Sequence, residues 1–397
     1  MNKKLVFYIL TLIVIVILAL SLSEITLRLY ERFRIMNLSS EYVIDMQDYF
    51  YYVPDPDTGL WMADPDKTKP YINSFGMYDF ERTIPKKKDV FRIAVIGDSY
   101  MNGCHVGLGN RMTDIIEKEF KGRVEVLNFG ISSVGTVQEL YIYRSKVRQF
   151  KPDLVILGFL TGNDVRNNSR KLESSTGYGY LKNAPYCEKK PDGRFEYFPA
   201  RPGVGTNKIS YILRRYSYLY RFLRTKAMPA IISYLKDIRK KETDFRVGVW
   251  PRWYMDYGVY ESEVMGDWQE AWDITEHTVL KFRQEVEADN SRFLLLILVD
   301  PLQVFEDVNM TVKKEAGFLP PKGFSVDYPS ERLVRFASKN GMDCLNLGPV
   351  FKRYIKENDL KEPYFSFRND GHWNRLGNKV AADALKEYLI DRYKIDV

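Results

Sequence analysis

The stretch "VFRIAVIGDSYMNG" occupies residues 90–103 and decides how the rest of the chain is read. Residues 90–96 are an almost unbroken apolar run, the pattern of a strand buried on both faces. The run ends in Gly97-Asp98-Ser99, and the residues after it can open a helix. A buried strand that ends on a glycine, an acid and a hydroxyl is placing chemistry at its terminus. Outward from it, helical spacing at 112–120 is followed by a strand at 124–129 (VEVLNF). A helix at 137–150, with Leu140, Tyr143 and Val147 on one face, leads to a strand at 154–159 (LVILGF). The rhythm breaks at about 165–270, an aromatic and basic insertion, and then returns. A helix at 270–289, a strand at 293–299, a helix at 329–340, a short strand at 343–347 and a helix at 377–393 complete it. This alternation predicts an α/β fold around a parallel sheet.

The chain has 397 residues, 45% of them hydrophobic, which is ample for a large core. A net charge of +7 is spread along the chain without a basic tract, so nucleic acid is not an expected partner. Cys104, Cys187 and Cys344 have no metal-ligand spacing and are expected as free thiols. No metal and no organic cofactor is expected. If the chemistry needs an imidazole, it comes from His105, His277 or His372.

Residues 5–22 (LVFYILTLIVIVILALSL) carry no charge and follow Lys3 and Lys4. The length reaches the range of a membrane-spanning helix, and the lysines predict a cytoplasmic N-terminus with the rest of the chain exported. A cleaved signal peptide is the alternative, because Ala19-Leu20-Ser21 offers small residues; the apolar length favours an uncleaved anchor. Residues 24–34 read as a charged amphipathic extension of the same helix. The expected organisation is an anchor with a juxtamembrane helix at 1–34, an extended lead-in at 35–89, and one domain at 90–397 that carries the 165–270 insertion. The lead-in is expected to pack on the domain through Trp61, Tyr71 and Phe75. In the insertion, Ile212, Leu213, Tyr216, Leu219, Tyr220 and Leu223 fit one helical face, with Arg214, Arg215, Arg221 and Arg224 largely elsewhere. This suits either a helix on the core with a solvated basic face, or a substrate-binding or membrane-facing lid.

In open α/β sheets, ligands bind outside the carboxyl ends of the strands. The second strand runs into Asn128-Phe129-Gly130-Ile131-Ser132-Ser133 and the third into Thr161-Gly162-Asn163-Asp164. Asn369-Asp370-Gly371-His372 precedes the last helix. Nucleophilic acyl transfer needs these residue types. Ser99 is the candidate nucleophile, His372 the base that takes its proton, and Asp370 the acid that orients the imidazole. The backbone N–H groups of Ser99 and near Ser133 and the Asn163 amide are candidate oxyanion donors. Gly97, Asp98, Gly162 and Asp164 are expected to support the site, Asp98 and Asp164 by bracing its turns. The plainer reading makes Ser99 and Asn163 helix N-caps. His105 is a candidate substrate contact, His277 is expected to be structural, and Trp250, Trp253 and Trp268 either pack or stack on sugars.

Gly97-Asp98-Ser99-Tyr100, the turn at 128–133, Gly162-Asn163-Asp164 and the Asp-Gly-His-Trp-Asn run at 370–374 resemble, in order, the four blocks of the SGNH or GDSL-type hydrolases. The resemblance covers about 91–164 and 290–395. It implies a three-layer α/β/α sandwich, flavodoxin-like, with a mostly parallel sheet. It also implies Ser99 as nucleophile, an oxyanion hole from Ser99, the second block and Asn163, and the pair Asp370 and His372. Two departures stand out. Ser133 replaces the second-block glycine, and the acid lies two residues before the histidine, as in bacterial exopolysaccharide O-acetyltransferases, where Asn369 holds the commoner position. The expected function is an exported, membrane-anchored serine esterase that removes an acyl group, most plausibly acetyl, from an envelope or extracellular glycan. It would sit on the periplasmic or extracellular side. The alternatives are a polysaccharide O-acetyltransferase fed by a membrane-protein acyl donor, and a non-catalytic scaffold or glycan-binding protein.

Overall fold

In a computed structural model of the protein, five strands form one sheet: β1 (Phe91–Gly97), β2 (Val124–Gly130), β3 (Leu154–Leu160), β4 (Arg292–Leu298) and β5 (Asp343–Asn346). They lie in the order β5-β4-β3-β1-β2, and every pairing is parallel. The structure describes residues 3–36, 52–54, 61–63, 72–176, 184–200, 213, 216–223, 227–228, 231, 246–247, 250–264, 266–361, 364–367 and 371–395. The helices that matter here are α1 (Lys3–Met36), α2 (Ser99–Asn102), α3 (Met112–Glu119), α4 (Thr136–Ile142) and α5 (Asp164–Asn168). They continue with α6 (Tyr218–Phe222), α7 (Asp267–Ala288), α8 (Tyr328–Lys339), α9 (Gly348–Asn358) and α10 (Arg375–Tyr393).

The apolar runs are explained by the two faces they serve. Ala94, Ile96, Leu127, Val155, Leu157 and Leu295 face one core, which Leu140 of α4, Trp272 of α7 and Leu333 of α8 close. Their neighbours Ile93, Val95, Val126, Ile156, Leu294 and Leu296 face the other, closed by Ile116 of α3, Phe351 of α9 and Leu385 of α10. Successive strand residues point to opposite faces, so a strand covered on both sides has no polar position to alternate with. Each fully buried aliphatic contributes about 1.5–3 kcal/mol. The expected three-layer α/β/α sandwich with a parallel sheet is the observed fold.

Among the differences from the expected elements, two concern helices that flank the sheet. The helix at 137–150 keeps α geometry only to Ile142; Tyr143–Val147 widens to a π turn and Arg148–Phe150 tightens to a 3₁₀ turn. Here the Ser145 hydroxyl donates to the Tyr141 carbonyl at 2.8 Å, which competes with the helical ladder. Tyr143 and Arg148 meanwhile reach Asp289, just past α7, at 2.6 and 2.7 Å. The second difference is α9, which the sequence reading passed over. Pro349 opens it, and its one deeply buried large side chain, Phe351, gives a weak stripe.

Buried arginines tie the lead-in to the sheet. Arg82 pairs with Asp79 and Glu117, both at 2.9 Å, and donates to the Val126 carbonyl. Arg111, fully buried, pairs with Asp79 and Asp114 at 2.7 and 2.6 Å and donates to the Tyr78 carbonyl. A buried guanidinium is tolerated only when its donors are met this completely. Phe75 packs edge-on against Phe150, ring centroids 4.9 Å apart. The side chain of Trp61 and all of Tyr71 lie outside the described residues. The three cysteines are free thiols. His277 stacks on Phe195 at 4.0 Å, and burial lowers its pKa. Trp268 is buried against Gly258. Helix α1 is continuous through both the apolar run and its charged extension, and its first part is long and apolar enough to cross a membrane.

Candidate active site

The strand order reverses direction between β1 and β3: the chain leaves β1 toward β2 on one side and returns to β3 on the other. A crevice opens at such a switch point, outside the carboxyl ends of the strands. Ser99 follows β1 and Asn163 follows β3, so both sit there.

Three glycines make the floor. Gly97 is in register with Gly130 on one side and Gly158 on the other. A Cβ on Gly97 or Gly158 would run into the Met101 side chain, and one on Gly130 into the backbone of Met101 and Asn102. Short helix α2 therefore rests directly on the strand ends. Asn128 holds it there, donating to the Met101 carbonyl at 2.7 Å, while Asn102 donates to the Gly130 carbonyl at 2.9 Å. Asp98 caps the helix, its carboxylate accepting from Tyr100 N at 2.9 Å, and Gly103 ends it in the left-handed region. Ser99 is thus the first helical residue and not the cap.

The histidine arrives from the other end of the chain. Phe367 N donates to the His372 carbonyl at 2.9 Å, and Asn374 N to the Phe365 carbonyl at 2.7 Å, so residues 365–367 and 372–374 lie side by side. Asn374 then caps α10 by accepting from Gly377 N at 3.0 Å. Trp373 anchors the segment in the core, its indole N–H donating to the Val299 carbonyl at 3.1 Å. The Tyr100 hydroxyl donates to the Gly371 carbonyl at 2.9 Å, binding the serine helix to the histidine segment. Ser99 Oγ lies 2.8 Å from His372 Nε2. That is the contact through which an imidazole takes the proton of an attacking hydroxyl.

Asn163 precedes α5 but makes no side-chain capping bond. Its Nδ2 instead faces Asp98 Oδ2 at 3.4 Å, a long contact, and its Oδ1 is buried with no partner among the described residues. Its amide is therefore held loosely at the crevice. Ser133 lies between β2 and α4 at φ 62°, the left-handed conformation that glycine adopts freely. The backbone here has a conformation suited to glycine although the residue is serine. Gly162 has no room for a side chain, because the Asp300 carboxylate abuts it. Asp370 lies outside the described residues.

Behind the crevice are three buried carboxyls, Asp98, Glu139 and Asp164. Burial raises the pKa of Asp98; Tyr100 N, the His372 charge, Asn163 and Ser99 act the other way. Burial pushes Glu139 well above the ordinary carboxyl range, and the Asp98 charge adds to it. Asp164 is raised by burial and then by the charges of Glu139 and Asp98, and is partly relieved by Leu160 N, which donates to its Oδ2 at 2.8 Å. Glu139 was missed in the sequence. Its only signal is an acid four residues before the buried Tyr143, at the edge of an apolar stripe. His105, a candidate substrate contact by sequence, stacks its imidazole on that of His372, centroids 3.8 Å apart.

No family model matches the chain, and no curated protein matches it. Solved structures with a similar arrangement include an acetyl xylan esterase (13% identity, 75% of this chain and 100% of that one, TM-score 0.39). A GDSL-like lipase from Bacteroides thetaiotaomicron aligns at 13% identity over 78% of this chain and 92% of its own, with a TM-score of 0.37. A catalytic mutant of an acetylxylan esterase from Geobacillus stearothermophilus aligns at 10% identity over 76% and 95%, with a TM-score of 0.38. Likeness at this level carries no weight for activity, which is argued from the chain's own residues.

Proposed function

We propose that the protein is an exported, membrane-anchored serine esterase of the SGNH type, acting on an acyl ester of an envelope or extracellular glycan. The 2.8 Å contact between Ser99 Oγ and His372 Nε2, at the switch point of a parallel sheet, carries this reading. Ser99 Oγ attacks the ester carbonyl carbon as its proton passes to His372 Nε2. The charge that develops on the carbonyl oxygen is met by the Ser99 and Ser133 backbone N–H groups and the Asn163 amide. The ester C–O bond then breaks, and the departing alkoxide takes the proton from His372. Water attacks acyl-Ser99 with His372 again as base, and releases the carboxylic acid and free serine. Asp370, by its spacing, orients the imidazole and stabilises its charged form. The choice of an acetylated glycan rests on the apolar N-terminal helix and on the motif resemblance.

The test is hydrolysis of p-nitrophenyl acetate by the full chain in detergent, beside Ser99→Ala, together with fluorophosphonate labelling. Turnover and labelling that both vanish in Ser99→Ala support the reading. Absence of both in the wild type overturns it in favour of a binding or scaffold role.

A further inference from the structure

We propose that the segment around Leu213–Ile231 is a second membrane-contacting element, clipped to α1 and lying on the phospholipid surface beside it. The observation is a set of bonds between distant parts of the chain. The Glu24 carboxylate accepts from Tyr218 N and Leu219 N, both at 2.9 Å, and from the Ser217 hydroxyl at 3.0 Å. One helical turn on, Arg28 donates to the Tyr216 carbonyl at 2.7 Å, and its guanidinium lies over the Tyr218 ring at 4.8 Å. Glu24 and Arg28 also pair with each other at 2.7 Å. The start of α6 is thus held by two charged side chains of α1.

Helix geometry gives the height of this clip. Lys4 and Glu24 bound the uncharged stretch of α1, with no charge between them. Twenty residues at a 1.5 Å rise span about 30 Å, the thickness of a bilayer's hydrocarbon core. With Lys4 at one boundary, Glu24 stands at the other, and α6 stands there with it. What the segment exposes suits that level. Tyr216, Leu223, Met228 and Ile231 are 45–59% exposed, although each is apolar or aromatic. The surrounding sequence, "LRRYSYLYRFLRTK" at 213–226, interleaves tyrosines with arginines. Aromatic rings and the aliphatic stems of basic side chains together suit the interface between a bilayer and water. The occupant of the exposed face is therefore the lipid surface into which α1 would run.

This rests on the membrane-anchored reading of α1 and not on the esterase chemistry, and the test separates the two. Single cysteines are placed at Val14, Leu223 or Met228 in full-length protein carrying Cys344→Ser, with the buried Cys104 and Cys187 retained. Each is labelled with an NBD fluorophore and reconstituted into phosphatidylethanolamine–phosphatidylglycerol vesicles. The expected result is blue-shifted emission at all three positions, quenched by lipid-borne nitroxides, with Glu24→Ala weakening the signal at 223 and 228 but not at 14. Water-like emission at 223 and 228 with a lipid-quenched Val14 overturns the proposal and leaves the anchor standing. Water-like emission at all three overturns both. Blue-shifted emission at 223 and 228 without lipid quenching assigns the face to a protein neighbour instead.

Discussion

The imidazole of His105 lies face to face with that of His372, centroids 3.8 Å apart and planes within 16°. The Tyr100 ring lies 5.0 Å from His372 and is tilted 38° to it. His372, the proposed general base, is thus held by rings that limit its rotation. His105→Ala is expected to lower kcat by roughly tenfold, because small misplacements of a base are costly. His105→Phe keeps a flat ring and is expected to recover most of the rate. Steady-state kinetics with p-nitrophenyl acetate separates the two; equal losses in both variants would show that the imidazole acts by its polarity and not by its face.

Asn163 stands at the N-cap position of α5 without a capping bond, and its Nδ2 makes only a long 3.4 Å contact with Asp98. Asn163→Ala is expected to lower kcat by about 100- to 1,000-fold with little change in KM, the pattern of a lost oxyanion donor. A loss that appears mainly in KM would place the amide on ground-state binding.

Ser133 occupies a backbone conformation that disfavours side chains, and the mechanism asks only for its N–H. Ser133→Gly is expected to keep kcat/KM within about twofold while relieving about 1 kcal/mol of left-handed strain. Ser133→Val, branched at Cβ, is expected to lower both stability and rate. Denaturant midpoints and kinetics on the same preparations check this, and a large rate loss in Ser133→Gly would point to a role for the hydroxyl.

Glu139 is expected to make the fold sensitive to alkali. Burial raises its folded pKa above the ordinary value of 4.5. The folded state therefore holds the proton more tightly than the unfolded chain. This contribution is fully present below pH 4.5 and declines as pH rises toward the folded pKa. Glu139→Gln stays neutral at every pH, so its Tm is expected to fall less than the wild type's as pH rises above 4.5. Parallel slopes in thermal melts across that window would show that the proton is not held.

The floor of the site is expected to tolerate no added carbon. Gly130→Ala would place a methyl against the backbone of α2, which cannot move aside as a flexible side chain can. A destabilisation of about 1–3 kcal/mol is expected, with loss of turnover. Wild-type activity in this variant would mean that α2 is not seated as described.

Much of this protein is determined by local sequence. The strands at 91–97, 124–130 and 154–160 are legible because burial on both faces leaves an unbroken apolar run. The strand-end positions of Ser99 and Asn163 are legible because each follows an apolar run, and α1 is legible from uncharged length alone. The tertiary structure decided what depends on residues far apart in the chain. Ser99 meets His372 across 273 residues, a distance set by contacts such as Tyr100 with Gly371 and with Trp373. The left-handed backbone at Ser133 follows from how the β2–α4 loop closes. The burial of Glu139 and the bonds from Glu24 to α6 arise from elements brought together by folding. No periodicity along the chain encodes them, because each partner's local pattern is satisfied without the other.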